Sequence, residues 1–237
     1  MDWWEGFFEL GAWQGVQLGW DSLEDAEQQV DLIERALRVE PAARILDVPC
    51  GTGRVGRRLV ERGYDVVGVD ITERFLEEAR EAGLTVEHAD MRELRFEEEF
   101  DAAICMWGSF GYFDDAGNLA QARAAARALK PGGRYLIDTP ALESIYPRFR
   151  DRTWFDAGDT LVLNETRFVL DEGRVETDWT FVRGAERETF RSSIRVYTLA
   201  ALTDLLREAG FTAFEARDDE LEPFELGSSR LWLVATR

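Results

Sequence analysis

One stretch of the sequence, residues 44–70 (RILDVPCGTGRVGRRLVERGYDVVGVD), constrains the fold more than any other. An apolar run ending in Asp47 meets a Pro-Cys-Gly-Thr-Gly turn, an amphipathic segment follows, and a second apolar run ends in Asp70. The pattern predicts strand, glycine loop, helix and strand, with a carboxylate at the end of each strand. Such a unit presents backbone N–H groups and a helix N-terminus to a nucleoside-sized cleft, where Asp70 can accept hydrogen bonds from ribose hydroxyls.

The alternation of strand and helix patterns continues to about residue 138. A helix that begins near Ser22 precedes the first strand, and a helix capped by Thr72 follows the second. The further elements are predicted at 84–87 (strand), 100–106 (strand), 115–129 (helix) and 134–138 (strand). This order is typical of a parallel sheet with right-handed crossovers and helices on both faces.

The pattern changes between Thr153 and Val196. Short alternating runs replace the helices, and Asp171-Glu172-Gly173 is a hairpin signal between two extended runs. We therefore predict three or four antiparallel strands inserted into the α/β frame. A helix capped by Thr198 and two final strands, at 211–216 and 231–236, complete a single domain over 1–237 with an inserted sheet at 150–197.

Large aromatic side chains crowd the N-terminal region, residues 1–40. They are Trp3, Trp4, Phe7, Phe8, Trp13 and Trp20. The spacing of the earliest ones is helical, which indicates either an amphipathic helix packed on the core or a lid over a pocket. The sequence leaves both interpretations open.

The formal net charge of −19 excludes several classes of partner. A surface this acidic repels nucleic-acid phosphates and anionic membranes. No segment has the apolar length of a membrane span, and the N-terminus lacks the basic region of a secretory signal. Two cysteines, Cys50 and Cys105, are more simply free thiols than a redox pair. We expect a cytoplasmic protein without a bound metal; its oligomeric state cannot be read from the sequence.

Several motifs in a fixed order resemble those of the class I S-adenosylmethionine-dependent methyltransferases. They are Ile45–Gly53, Asp70, Asp90-Met91, Asp101–Trp107, Leu129-Lys130-Pro131-Gly132-Gly133 and Ala209-Gly210-Phe211. The resemblance extends over nearly the whole chain. It implies a Rossmann-like, seven-stranded, mostly parallel sheet with one antiparallel edge strand, and S-adenosylmethionine bound at the C-terminal ends of the strands.

The resemblance also implies roles for the residues of the first motif. Gly51 and Gly53 would let the backbone approach the methionine part of the cofactor, with Cys50 and Thr52 in the same loop. Asp47 would lie beneath the cofactor's amino group. The family's usual first glycine is Pro49 here, which removes one N–H but stiffens the loop.

The later motifs would surround the nucleoside and the methyl group. Asp70 would bind the ribose hydroxyls, and Ile71 would lie against the adenine. Asp90 would accept a hydrogen bond from the adenine amino group, and Met91 would donate its backbone N–H. The transferring methyl group would be bordered by Met106 and Trp107.

Two other classes of function remain open at this stage. Residues 51–56 satisfy G-x-G-x-x-G, the pattern of dinucleotide-binding oxidoreductases, but Asp47 and Pro49-Cys50 separate the strand from the first glycine. The chain could also bind the cofactor without catalysis. Methyl transfer accounts for more of the motifs than either alternative does.

The acceptor is predicted to be a small molecule, with an amine favoured over a hydroxyl or carbon atom. Methyl transfer to an amine depends mainly on orientation, whereas O- or C-methylation needs a base. Weak candidates for a catalytic or positioning group are Tyr112, Asp138, Tyr197 and Arg195, and each has a plain structural alternative. The only histidine, His88, is more simply placed beside the adenine or at the end of its strand.

Overall fold

The computed structural model describes residues 3–8 and 23–237. Trp13, Trp20 and Ser22, for which the sequence made predictions, lie outside these ranges. Within them the helices are α1 Trp3–Phe7, α2 Leu23–Leu37, α3 Arg54–Glu61, α4 Glu73–Glu81, α5 Asp115–Ala128, α6 Leu142–Ile145 and α7 Leu199–Ala209. The strands are β1 Arg44–Asp47, β2 Asp65–Asp70, β3 Thr85–His88, β4 Phe100–Cys105, β5 Leu129–Thr139, β6 Arg152–Ala157, β7 Thr160–Val169, β8 Arg174–Arg183, β9 Glu186–Arg195, β10 Ala213–Arg217 and β11 Leu231–Thr236.

Seven strands form one sheet in the order β10-β11-β5-β4-β1-β2-β3. Strands β1 to β5 pair in parallel, and β11 is antiparallel to both of its neighbours. The predicted Rossmann-like fold is therefore confirmed, with β11 next to the outermost strand β10. Because β1, β2, β4 and β5 are parallel, the residues that follow them meet at one edge of the sheet.

Helices cover both faces of this sheet because successive strand residues point to opposite sides. In β1, Ile45 belongs to the core beneath α2 and α3, together with Ile33 and Leu59. Its neighbour Leu46 belongs to the core on the opposite face, together with Leu202 of α7. All of these side chains are buried, and each contributes about 1.5–3 kcal/mol through removal from water.

The inserted segment forms a second, antiparallel sheet of four strands, β6-β7-β8-β9. Its strands span Arg152–Arg195, close to the predicted bounds, and the predicted turn at Asp171-Glu172-Gly173 joins β7 to β8. The end of β9 is attached to the main domain, because the backbone N–H of Arg195 donates to the carbonyl of Gly111 at 2.7 Å.

Two local predictions differ from the structure. Strand β5 begins at Leu129 rather than Arg134, since Leu129 pairs with Phe100 and the register then shifts across the Pro-Gly-Gly bulge. Thr72 precedes α4, but its side chain makes no capping hydrogen bond with that helix; it bonds to Asp70 instead. Thr198, in contrast, caps α7 as predicted by accepting from the Ala201 N–H at 3.1 Å.

None of the helices formed within residues 3–8 and 23–237 has the length and apolar character of a membrane span.

Candidate active site

A cavity of about 1150 Å³ opens at the C-terminal edge of the large sheet. Its walls come from the glycine loop after β1, the ends of β2 and β4, helix α4, helix α1 and the inserted sheet. Nine of the eleven predicted cofactor residues line it: Cys50, Gly51, Thr52, Asp70, Ile71, Asp90, Met91, Met106 and Trp107. The roles of these residues stay predictions, but the fold brings them to one place.

The glycine loop presents bare backbone to this cavity. Gly51 has a φ of +53°, and a Cβ at this position would meet no atom within 4 Å. The surface beside Gly51 is therefore open space that a ligand can enter. Cys50 beside it keeps its proton, because burial and the charges of Asp47 and Asp70 raise the pKa of its thiol.

Asp70 is fixed at the end of β2 by the same loop. One carboxylate oxygen accepts the N–H of Gly51 at 2.9 Å, and the other accepts the N–H of Thr72 at 2.8 Å. The Thr72 side chain and the Ile71 N–H also bond to this carboxylate, which lines the cavity as a hydrogen-bond acceptor. Burial raises the pKa of Asp70, although the hydrogen bonds from Thr72 and Gly51 oppose the shift.

Asp47 and Gly53 are the two predicted cofactor residues that do not line the cavity. Asp47 lies beneath the loop with only 2% of its surface exposed. Burial, followed by the charge of Asp70, raises the pKa of Asp47 to about 8. Gly53 has a φ of +77° and a crowded Cβ direction, 3.1 Å from Ala79, so it serves the packing of the loop against α4.

Asp90 follows β3 and is held by its neighbour Arg92. The two side chains form an ion pair at 2.6 Å, and the backbone N–H of Arg92 also donates to Asp90 at 2.8 Å. Burial alone would raise the pKa of Asp90, but these bonds outweigh it and hold the pKa below its usual value. His88 lies outside the cavity walls, with Nε2 2.8 Å from the Ile71 carbonyl.

Asp138 does not line the cavity, and its carboxylate holds two residues of the cavity wall. Its Oδ2 accepts the backbone N–H of Trp107 at 2.9 Å, and its Oδ1 accepts Nε of Arg230 at 2.5 Å. With 2% of its surface exposed, Asp138 is a buried anchor for the cavity wall. The interpretation of Asp138 as a catalytic group is therefore replaced by a structural one.

Tyr197 and Arg195 also lie outside the cavity walls. The Tyr197 hydroxyl donates to Asp115 at 2.6 Å and accepts from Asn118 at 3.0 Å. Arg195 pairs with Asp115 at 2.9 Å and places its guanidinium over the Tyr197 ring. These contacts join the inserted sheet to α5, so neither side chain is placed to hold an acceptor.

Tyr112 is the remaining catalytic candidate, and it lines the cavity. Its ring centroid is 4.9 Å from Trp3 and 6.1 Å from Phe8, while Trp4 stacks nearly parallel at 6.4 Å. Burial raises the pKa of the phenol, and a hydrogen bond with Ser109 opposes the shift. The hydroxyl therefore stays protonated at neutral pH.

Helix α1 has features of both interpretations that the sequence left open, a helix packed on the core and a lid over a pocket. Phe7 is buried against the inserted sheet, 5.6 Å from Trp179 and 5.3 Å from Phe190 between ring centroids. The other aromatic residues of α1 and its end, Trp3, Trp4 and Phe8, line the cavity together with Phe7. The helix is thus a wall of the cavity that is held in place by core packing.

Sequence reasoning missed several residues of the cavity wall. They are Arg54, Arg57, Arg74, Trp179, Ser192, Ile194 and Arg230. The alternation in the inserted strands predicted which residues share a face, but no signal indicated that this face meets the cavity. Arg230 immediately precedes the last strand, and no motif of the sequence singled it out.

The residues present fit S-adenosylmethionine. The cofactor would need acceptors for a ribose diol and for the adenine amino group, and open space beside the loop backbone. Asp70 and the ionised Asp90 line the cavity as acceptors, and open space adjoins Gly51. Asp70 would hold the nucleoside side, the backbone at Gly51 would adjoin the methionine part, and Met106 and Trp107 would border the reacting side.

Comparison with known proteins agrees with this geometry. The sequence model of a family described as "Methyltransferase domain" matches residues 45–133. YqeM of Bacillus subtilis, whose name places it among the methyltransferases without an acceptor, is 28% identical over 208 residues, covering 82% of this chain and 84% of that protein. The glycine N-methyltransferase of Rattus norvegicus is 29% identical over 212 residues, covering 73% and 70%.

Solved structures share the fold. An S-adenosylmethionine-dependent methyltransferase from Clostridium acetobutylicum superimposes with a TM-score of 0.77 at 20% identity, covering 89% of this chain and 91% of that one. The sugar N-methyltransferase KedS8 from a Streptoalloteichus species superimposes with a TM-score of 0.66 at 25% identity, covering 90% and 86%.

Proposed function

This chain belongs to the class I S-adenosylmethionine-dependent methyltransferases, and we propose that it methylates the amino group of a small-molecule acceptor. The family assignment removes the dinucleotide alternative, because the glycine pattern of residues 51–56 lies inside the matched methyltransferase region. When bound, the cofactor supplies an electrophilic methyl group. The protein must hold the acceptor in line and exclude water.

The observation that carries the amine proposal is the character of the cavity wall formed by α1 and residues 107–113. Among the described residues, this wall offers ring faces and the neutral hydroxyls of Tyr112 and Ser109. Asp138, the acid that the sequence suggested, does not line the cavity, and its oxygens hold Trp107 and Arg230. A hydroxyl or carbon acceptor would need a base that this wall does not supply, whereas a neutral amine already carries its nucleophilic lone pair.

The same wall suits a nitrogen that becomes positively charged. Ring faces attract cations, by about 0.5–2 kcal/mol for each favourable contact. Trp3, Trp4 and Tyr112 lie within 6.4 Å of one another between ring centroids, so several faces adjoin one volume. The hydroxyl oxygens of Tyr112 and Ser109 can accept an amine N–H and so orient the lone pair.

Two of the compared proteins are named for amine acceptors, the rat glycine N-methyltransferase and the sugar N-methyltransferase KedS8. They support the chemical class without specifying the acceptor of this chain. The net charge of −19 adds a field that favours cationic or amine-bearing metabolites over polyanions.

The experiment uses purified protein, methyl-labelled S-adenosylmethionine and acceptors in pairs that differ only in the reacting atom. Glycine with glycolate, and glucosamine with glucose, are suitable probes within a larger panel. We expect label in the amine member of a pair and none in its hydroxyl partner, with Asp70→Ala protein as the control for uncatalysed transfer.

Transfer to hydroxyl or carbon acceptors alone would refute the proposal. Calorimetric binding of S-adenosylmethionine without transfer to any amine of the panel would favour the non-catalytic alternative instead.

A further inference from the structure

Arg230 lies at the end of the cavity to which no cofactor-binding role is assigned. It precedes β11, whose residues Leu231 and Trp232 pair with Thr139 and Asp138 at the C-terminal end of β5. This register places Arg230 at the same edge of the sheet as Trp107. Its side chain lines the cavity and is 33% exposed.

The guanidinium of Arg230 is only partly satisfied. Its Nε donates to Oδ1 of Asp138 at 2.5 Å, but its buried Nη2 has no hydrogen-bond partner. Asp138 cannot turn towards Nη2 freely, because its other oxygen holds the N–H of Trp107. Nη2 lies 3.5 Å from the point where a Cβ on Gly108 would stand, so it borders the loop beside the reacting side of the cavity.

An unpartnered buried donor is unfavourable, and native structures rarely keep one without a reason. Arginine has a planar fork of donors that matches the oxygens of a carboxylate or phosphate. Asp138 fixes the plane of this fork through Nε, and the exposed part of the Arg230 side chain lines the cavity. This arrangement is a prepared anion contact rather than a flexible surface charge.

The two cavity acids that follow strands of the sheet do not compete for this position. Asp70 and Asp90 follow β2 and β3, whereas Arg230 lies between β5 and β11. In the strand order, β4 and β1 separate β5 from β2, so at about 4.8 Å per strand the acids are on the order of 14 Å away. Two other arginines of the wall differ, since Arg54 stacks on Trp107 and Arg74 pairs with Glu78.

We propose that Arg230 binds an anionic group of the acceptor, a carboxylate or a phosphate, and thereby selects acceptors that carry both an amine and an anion. The identity of the ligand as a methyl acceptor rests on the proposed function, but the anion site does not depend on which atom receives the methyl group. Arg230 is a specificity-determining residue in this view. It holds the substrate and takes no part in proton transfer.

The test observes the site directly, in protein saturated with S-adenosylhomocysteine so that the cofactor's own carboxylate is already bound. Acetate and inorganic phosphate are titrated at constant ionic strength while NMR follows the backbone amide of Gly108 and the Nε resonance of Arg230. The exposed Arg123, paired with Glu208 on the surface, provides the internal comparison. We expect the signals of Gly108 and Arg230 to move saturably, at concentrations at least tenfold below those that affect Arg123.

Arg230→Lys and Arg123→Lys are the matched variants. Lysine keeps a positive charge beside Asp138, which protects the fold, but it lacks the planar fork. We expect Arg230→Lys to weaken the anion response of Gly108 at least tenfold and Arg123→Lys to leave it unchanged. A response to acetate alone indicates a carboxylate acceptor, and a response to phosphate alone indicates a phosphorylated one.

The proposal is overturned if Arg230 and Arg123 respond alike, if neither anion saturates, or if Arg230→Lys retains the wild-type response. Because no methyl transfer is measured, a failure here is distinct from a failure of the amine assignment.

Discussion

The carboxylate of Asp138, at the end of β5, accepts a hydrogen bond from the backbone N–H of Trp107, 2.9 Å away in the loop after β4. Trp107 has a φ of +63°, a conformation that bulky residues adopt rarely. The backbone N–H of Gly108 donates to the Asp138 carbonyl at 2.9 Å as well. One residue thus fixes the turn that carries the exposed Trp107 ring to the cavity.

Asp138→Ala is expected to lower the free energy of unfolding by about 3 kcal/mol, because it leaves both Arg230 and the Trp107 N–H without an acceptor. Asp138→Asn should cost less, since its amide oxygen can still accept from Trp107. Urea denaturation measures both. The surface acid Asp204, which pairs with Arg207, is the control and should change stability by less than about 0.5 kcal/mol. Equal effects of Asp138→Ala and Asp204→Ala would contradict the anchoring role.

Asp70→Ala should weaken S-adenosylmethionine binding by about 1–3 kcal/mol, the value of lost hydrogen bonds to a charged group. Calorimetry measures the affinity. A thermal melt checks that loss of the Asp70 bonds to Gly51 and Thr72 has not unfolded the protein. Asp65→Ala, at the exposed start of the same strand, is the matched control. Wild-type affinity in Asp70→Ala would show that this residue does not bind the ribose.

The buried Asp47 should give the protein a distinctive pH dependence. Its pKa is about 8 when folded, against an ordinary value of 3.8, because burial and then Asp70 disfavour its charge. The folded state therefore holds a proton that the unfolded state releases, and this stabilisation is present in acid and lost as pH rises through 8. The loss is at most about 1.4 kcal/mol per pH unit for one proton.

Asp47→Asn removes this titration while keeping the size of the side chain. The stability of the wild-type protein relative to Asp47→Asn should therefore fall as the pH rises from 5 to 8 and level off above. Urea unfolding at several pH values tests it, and parallel curves for the two proteins would show that Asp47 is charged in the folded state.

Tyr112 and Tyr197 make a matched pair, since burial raises the pKa of both phenols but only Tyr112 lines the cavity. Tyr112→Phe should lower kcat/KM for the acceptor about tenfold, or about 1.4 kcal/mol, and leave cofactor affinity unchanged. Tyr197→Phe should instead lower stability by about 1–2 kcal/mol through the lost bonds to Asp115 and Asn118, with kcat retained. The opposite pattern in kinetics and unfolding would exchange the two roles.

Much of this protein was determined by local sequence. The two apolar runs around the glycine turn, the acids that end them, and the switch from helical to alternating periodicity at Thr153 predicted the main sheet and the inserted one. These features are local because strand and helix periods depend on neighbouring residues and on which face is buried. The same reasoning placed Asp70 and Asp90 at one edge of the sheet.

The tertiary structure determined which side chains are engaged by long-range contacts and which remain free. Asp138, Tyr197 and Arg195 had suitable chemistry, but their partners lie 31 to 92 positions away in sequence and engage them elsewhere. Arg230 gave no signal, because its role arises only where β11 returns antiparallel beside β5. Sequence periodicity determines which face of a strand a residue occupies, whereas the packing of distant segments determines whether its functional atoms remain free.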